Sequence, residues 1–195
     1  PQVCTMKVKI NGETENVLAL WREDHIVKMV DQRKLPHSFE IITLENHRET
    51  AKAIKTMVTR GAGAIGNAAA FGIAQAALEA ENKSLDEFTK YINEAAETIR
   101  KTRPTAANLF KAVDKCLEAG GWGNVSVRVD AIVNMADEIL KQDMKSSKEI
   151  AIAGNKLIED GFKILTHCNA GALAYVDHGT ALAPIREAVK EGKDI

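Results

Sequence analysis

The chain has 195 residues, of which 45% are hydrophobic and 27% charged, with a formal net charge of −1. It is long enough for one large domain or two small ones with a real core, and its composition is that of an ordinary globular protein. The near-neutral balance and the lack of any Lys/Arg run argue against a nucleic-acid partner, no apolar stretch reaches the length of a membrane span, and the opening "PQVCTMKVKI" lacks a signal peptide's layout.

Alternation in "VCTMKVKI", "NVLALW" and "HIVKMV", with turn residues at Asn11-Gly12 and Glu23-Asp24, predicts a small antiparallel sheet. "DQRKLPHSFEIIT" follows as a loop into one more short strand. After Thr43 the period becomes helical. Ala53, Ile54, Met57 and Val58 repeat at helical spacing up to Arg60-Gly61, and "AIGNAAAFGIAQAALEA" is a largely apolar, buried helix. Ser84-Leu85-Asp86-Glu87 has the spacing of a capping box and opens a third helix that runs to about Lys101. Pro104 stops it, and Thr105 can cap a fourth that ends near Gly120-Gly121. A fifth helix is predicted from about Val125 to Met144, with Val129, Ile132, Val133, Ala136 and Leu140 on one face. A sixth runs from Ser147 to about Asp160, closed by Gly161; then come a buried strand over 162–167, a loop at Cys168 and a last helix from about Thr180 to Glu191.

The predicted class is therefore α+β followed by α/β. An N-terminal domain over 1–143 comprises the antiparallel sheet (1–43) and a helical bundle (44–143), and 144–195 begins an α/β layer. One strand cannot satisfy its backbone groups without neighbours, so the sequence reads as an incomplete domain.

Cys4, Cys116 and Cys168 cannot all pair and lie far apart, which argues for reduced, cytoplasmic thiols over a disulfide framework or zinc knuckle. Cys4 and Cys116 are read as packing or surface residues. Cys168 differs, because in "FKILTHCNAGALA" it stands just past an apolar run, before a loop of small residues. The C-terminal edge of a strand is where open α/β sheets bind ligands. A thiol there can serve as an acid or base once its surroundings tune it. His167 is adjacent, but neighbours at a strand end point to opposite faces. His25, His37 and His47 show no metal-ligand spacing, and Asp177-His178 is read as loop structure.

"RGAGAIGNAAAFG", from Arg60 to Gly72, joins a helix end, a flexible turn and a helix start. Free N–H groups beside Gly61 and Gly63, with the forked charge of Arg60, suit an anion; a tight helix–helix turn is the plainer account. Arg103 in "KTRPTAANLF" is either a second phosphate ligand or a solvated arginine. Spacing leaves both open.

The runs "MVDQRKLP", "MVTRGAGAIGNAAAFG", "TRPTAANLF" and "ILTHCNAGALA" followed by "GTALAPIREA" together resemble the methylthioribose-1-phosphate isomerase family, in family order and from about Trp21 to Glu191. That family is similar in fold to regulatory subunits of the eukaryotic exchange factor for translation initiation factor two. The resemblance implies a Rossmann-like catalytic domain beginning at about residue 144, a homodimer, a phosphorylated sugar as partner and no cofactor or metal. It implies that Arg60, the Gly61–Ala62 backbone and Arg103 hold the substrate's phosphate, and that Cys168 is one catalytic acid/base. The second would be an aspartate beyond residue 195, so residues 1–195 alone should be inactive. Gly63 stands where the family's "RGAPAIG" has proline, which makes the turn more flexible.

The activity so implied is conversion of methylthioribose 1-phosphate to methylthioribulose 1-phosphate in methionine salvage. The rivals are isomerases of 5-deoxyribose 1-phosphate or ribose 1,5-bisphosphate and, from another class, a non-catalytic initiation-factor-2B-like subunit. The cysteine in "THCN" and both motif arginines favour the enzyme.

Overall fold

The structure is a computed structural model that describes residues 6–10 and 12–195; Cys4 and Asn11 lie outside the described residues. Strands β1 (Met6–Ile10) and β2 (Glu13–Val17) pair antiparallel, Ile10 opposite Glu13, through a turn in which Gly12 has φ +90°. β3 (Leu20–Glu23), β4 (Ile26–Val30) and β5 (Ile41–Leu44) form a separate antiparallel sheet in that order. The expected single sheet is thus two, because "NVLALW" does not run straight through. At Ala19 the backbone turns aside: its N–H donates to Val176 O (2.9 Å) and its carbonyl accepts from Val30 N–H (3.0 Å).

The first helix, α1 (His47–Lys55), starts earlier than its apolar period suggests, because the Asn46 side chain accepts from the N–H groups of Arg48 and Glu49. It also ends earlier. Met57 adopts φ 61°, its N–H donates to Ile54 O (3.2 Å), and Val58 N–H donates to Ala53 O (2.9 Å). This is a Schellman closure with methionine in the left-handed position. Val58, buried past the end, supplies the expected apolar spacing without being helical.

Helix α2 (Ala62–Glu79) is the centre of the fold, with fifteen of its eighteen residues buried. A helix apolar all round must be enclosed by others, and α1, α3 (Leu85–Arg100), α4 (Ala107–Ala119) and α5 (Val125–Asn155) surround it. The α3 capping box forms as expected, with Ser84 and Glu87 bonded reciprocally. Thr105 does not cap α4: the capping position is Ala106, which has no side-chain bond to offer. Gln75 in α2 is fully used. Its Nε2 donates to His25 O and Leu44 O (2.9 Å each) and its Oε1 accepts from Thr50 Oγ1 (2.6 Å), which fastens the second sheet and α1 to the bundle.

At the far end of α2, Glu79 accepts from His47 N–H (2.8 Å) and Tyr91 Oη–H (2.6 Å), and its Oε2 lies 2.6 Å from His47 Nδ1. Burial alone would raise the Glu79 carboxyl, but the bonds from His47 and Tyr91 outweigh it and hold the group below its ordinary 4.5. Glu79→Ala is expected to cost about 1–3 kcal/mol in denaturant unfolding at neutral pH, since it strands buried donors. A carboxyl depressed in the folded state contributes stability present above its unfolded pKa and lost as pH falls through the folded one. The gap between variant and parent should therefore narrow below about pH 4.5.

Two expectations are corrected. The fifth and sixth helices are one 31-residue helix, α5, and the expected domain boundary at 143/144 falls inside it. Ser146 and Ser147 do not interrupt it: Ser146 Oγ accepts from Gln142 Nε2 within the helix (3.0 Å) and Ser147 is buried against the bundle. The buried strand over 162–167 is absent. These residues are irregular, with Phe162, Ile164 and Leu165 exposed, and there is no parallel sheet among the described residues. An apolar run has strand character only where a neighbour takes up its N–H and C=O groups, and none does so here. The last helix, α6 (Leu182–Lys190), packs on α5, where Lys193 Nζ donates to Asn155 O, Asn155 Oδ1 and Ile158 O at 2.8–2.9 Å. No described helix is long and apolar enough to cross a membrane.

Candidate functional site

The first turn of α2 is left open by its own sequence. Its capping residue, Gly61, has no side chain to bond the free N–H groups, and no acidic residue lies in the first turn. The first α2 N–H to meet a backbone carbonyl is that of Ile65, which donates to Gly61 O (2.9 Å). The N–H groups of Ala62, Gly63 and Ala64 have no acceptor among the described residues. Such groups, together with the helix dipole, favour an anion.

The motifs from far along the chain meet here. Gly61 has φ +102°, and a Cβ on it would fall 2.4 Å from Ala174 Cα, so the loop that begins at Cys168 lies directly on the turn. A Cβ on Gly63 would fall 2.2 Å from Tyr175 Cδ1. The Tyr175 ring therefore occupies the space that any side chain at 63 would need. On the opposite flank, Gly66 lies against the Asn108 backbone in the first turn of α4, which brings the Arg103 segment to the same end of α2.

Arg60 is exposed and adjoins Gly61; Arg103 is half-buried, and its Nη1 is a buried donor without a partner. Neither takes part in an ion pair among the described residues. A guanidinium that presents an unfilled donor is suited to a bidentate anion. Cys168 is a free, exposed thiol held at φ 68°, in the left-handed region that residues with a side chain seldom enter. No hydrogen bond joins it to His167.

The loop is held by bonds that no local spacing announces. Gln32, in "DQRKLP", is buried, donates from Nε2 to Leu173 O (2.8 Å) and from its N–H to Val58 O (2.9 Å). It ties the second sheet, the approach to Arg60 and the Cys168 loop at one point. Asn67 and Asp143 are a second pair that no local motif indicates, their side chains joined at 2.6 Å. Burial pushes the Asp143 carboxyl up, partly offset by the Asn67 bond and the charge of Lys115. Burial likewise raises Asp177, against the pull of His178 and Arg186; its Oδ2 lies 3.5 Å from His178 Nε2 and its Oδ1 has no partner. Cys116 is enclosed in α4, its thiol pushed up to about 12 by burial, and is an inert packing residue. No group of three or more His, Cys, Asp or Glu suited to a metal occurs among the described residues.

Residues 58–195 match the Initiation factor 2 subunit family. The chain is 42% identical over 176 residues to the methylthioribose-1-phosphate isomerase of Thermosipho africanus, covering 90% of this chain and 51% of that protein. It is 43% identical over 176 residues to the methylthioribose-1-phosphate isomerase of Thermoanaerobacter sp., covering 89% and 51%. Among solved structures, 5-methylthioribose 1-phosphate isomerase from Pyrococcus horikoshii OT3 superposes with a TM-score of 0.85 at 35% identity, over 91% of this chain and 51% of that one. A structure described as translation initiation factor eIF-2B, subunit delta, from A. fulgidus gives 0.81 at 38% identity, over 91% and 52%. The chain spans about half the length of the curated relatives it matches. With its Arg60 turn, its Arg103 segment and its Cys168 loop gathered at one helix end, the chain belongs to the initiation factor 2 subunit family.

Proposed function

We propose that the chain carries the phosphate-binding turn and one acid/base of an aldose–ketose isomerase acting on a sugar 1-phosphate, namely methylthioribose 1-phosphate to methylthioribulose 1-phosphate. The observation that carries this reading is the contact of the Cys168 loop with the uncapped first turn of α2, Ala174 seated on Gly61. The N–H groups of that turn, Arg60 and Arg103 would hold the phosphate, and Cys168 would act at the carbons beside it.

The chemistry asks for this neighbourhood. A phosphate on the anomeric carbon blocks simple opening of the ring, so a proton must first reach the ring oxygen. A hydrogen then passes from the second carbon to the first, and the product is an isomer with no net gain or loss of atoms or electrons. A fixed phosphate places those carbons, and fixed placement can supply a large share of a rate enhancement. The second acid/base is assigned, by the resemblance, to an aspartate in the remaining half of the relatives' length.

The test is turnover by the whole protein. Arg103→Ala is expected to weaken substrate binding by about 2–5 kcal/mol, as for loss of one member of a buried charge pair, and Arg60→Ala, at an exposed position, by less, while inorganic phosphate competes more weakly. Unchanged KM in both variants would remove the phosphate site from this turn. Comparison of methylthioribose 1-phosphate with 5-deoxyribose 1-phosphate and ribose 1,5-bisphosphate assigns the sugar. The likeness to a structure described as an initiation-factor subunit supports a second, non-catalytic reading, under which none of the three sugars would turn over.

A further inference from the structure

We propose that Asp143, acting through Asn67, is a positioning residue that aims the anion-binding N–H groups of the first α2 turn. The inference deepens the phosphate reading above and rests on it.

Asn67 is wholly buried in α2, and its Nδ2 donates to both Gly63 O (3.0 Å) and Asp143 Oδ2 (2.6 Å). Both neighbours are acceptors, so the orientation of the amide is decided: reversed, its oxygen would face two oxygens. Its Oδ1 is then left buried without a partner, a cost the site tolerates. Asp143 adds a second cost, a carboxyl carried into a half-buried position between helices. Two polar groups held against their solvation preference need a return, and the atom they hold indicates it.

That atom is the Gly63 carbonyl. It shares a planar trans peptide unit with the Ala64 N–H, and in such a unit the two groups point in opposite directions. Fixing the carbonyl fixes the N–H, which faces out of the helix end toward the proposed phosphate. The need is specific to this turn, since Gly61 and Gly63 have no side chain to narrow its backbone conformation and no capping side chain bonds its N–H groups. Asp143 stands on α5, so the longest helix of the fold sets the direction of donors on the central one. A cavity of about 210 Å³, lined in part by Gly63, Gly66, Lys111, Lys115 and Asp143, borders the link, and among the described residues Asn67 is the one hydrogen-bond donor to the carboxylate.

The experiment uses Asp143→Ala, Asp143→Asn and Asn67→Ala in the whole protein, with inorganic phosphate as the probe. Asp143→Ala and Asn67→Ala are expected to raise the phosphate Kd and the substrate KM by about 3–10-fold, with kcat little changed and faster amide exchange confined to Ile65 and Gly66, the first hydrogen-bonded amides of the helix. Asp143→Asn, which keeps an acceptor for Asn67, should restore Kd to within about twofold of the parent. The double variant Asn67→Ala with Asp143→Ala should lose no more than either alone. Unchanged Kd, or unchanged exchange at residues 65 and 66, in both alanine variants would overturn the proposal. So would equal weakening in Asp143→Asn and Asp143→Ala, since charge and not the tether would then be responsible. If Asp143→Ala does not fold, Asn67→Ala alone decides. Failure of the unsubstituted protein to bind phosphate would bring down the phosphate reading and this inference together, and is recognised because no variant is needed to see it.

Discussion

Replacing Cys168 with alanine in the whole protein is expected to lower kcat by about 10²–10⁴-fold, the usual share of a general acid or base, with KM altered far less. Alkylation should act through the same residue. Of the two cysteines among the described residues, Cys168 is exposed and Cys116 is buried with its thiol pushed up to about 12. A thiol reagent at neutral pH therefore has one of them to attack. Substrate should slow the modification by covering the α2 turn on which the loop rests. Inactivation that persists in Cys168→Ala, or full activity of that variant, would end the catalytic assignment. Cys168→Ser separates two causes of loss: it keeps the size of the side chain but not its acidity. A deficit as deep as that of alanine would identify proton transfer, whereas recovery would identify packing at the left-handed φ of 68°.

What the sequence discloses about the fold follows the range of the interactions concerned. The Ser84–Glu87 box is decided within four residues and is legible as a spacing. The turn of the first hairpin is legible for the same reason, from Asn11-Gly12. The end of α1 is not, because the Schellman closure places Met57 in a conformation that glycine usually supplies, and no glycine advertises it. The break expected between Met144 and Ser147 does not form, because from Val125 to Asn155 the one glycine is Gly154, next to the helix end, and no proline intervenes, so the helix propagates. The run over 162–167 carries a strand's composition, but strand formation is decided by a partner, which composition does not contain.

The candidate site divides along the same line. Arg60, Gly61, Arg103 and Cys168 can be named because each lies in a compact motif with its own chemistry. Gln32 is inside a quoted motif, yet its role depends on Leu173, 141 positions away. Asn67 and Asp143 are 76 positions apart and share no motif at all. Asn67 lies in a stretch read as a buried helix, with nothing to indicate its partner, and Asp143 would pass for a surface polar residue. Only the close approach of α5 to the start of α2 gives either a function, so the support of the turn is invisible where its donors are not.

The turn's dependence on the loop can be measured at Gly61. Gly61→Ala is expected to destabilise the protein by about 4 kcal/mol or more, a size reserved for changes with a definite structural cause. Two causes add. With φ +102° and ψ 150°, the residue sits in a region essentially confined to glycine, at a strain cost of about 1–3 kcal/mol for any side chain. The new Cβ would also stand 2.4 Å from Ala174 Cα and 2.6 Å from Ala174 O, which are backbone atoms that cannot swing aside. The loop must lift, and Cys168 with it, so turnover should fall further than the fraction folded. Gly192→Ala is a control without the clash, because that glycine also has a positive φ (+90°) and a Cβ added to it would meet nothing within 4 Å; it should cost only backbone strain. Ala174→Gly in the Gly61→Ala background removes the Cβ contact at 2.5 Å and leaves the backbone contacts in place, so it should recover stability only in part. Denaturant unfolding of the parent and these three variants reads all the differences. A Gly61→Ala variant no less stable than Gly192→Ala would mean that the Cys168 loop does not rest on the α2 turn, and would remove the proposed site in which the thiol stands beside the phosphate.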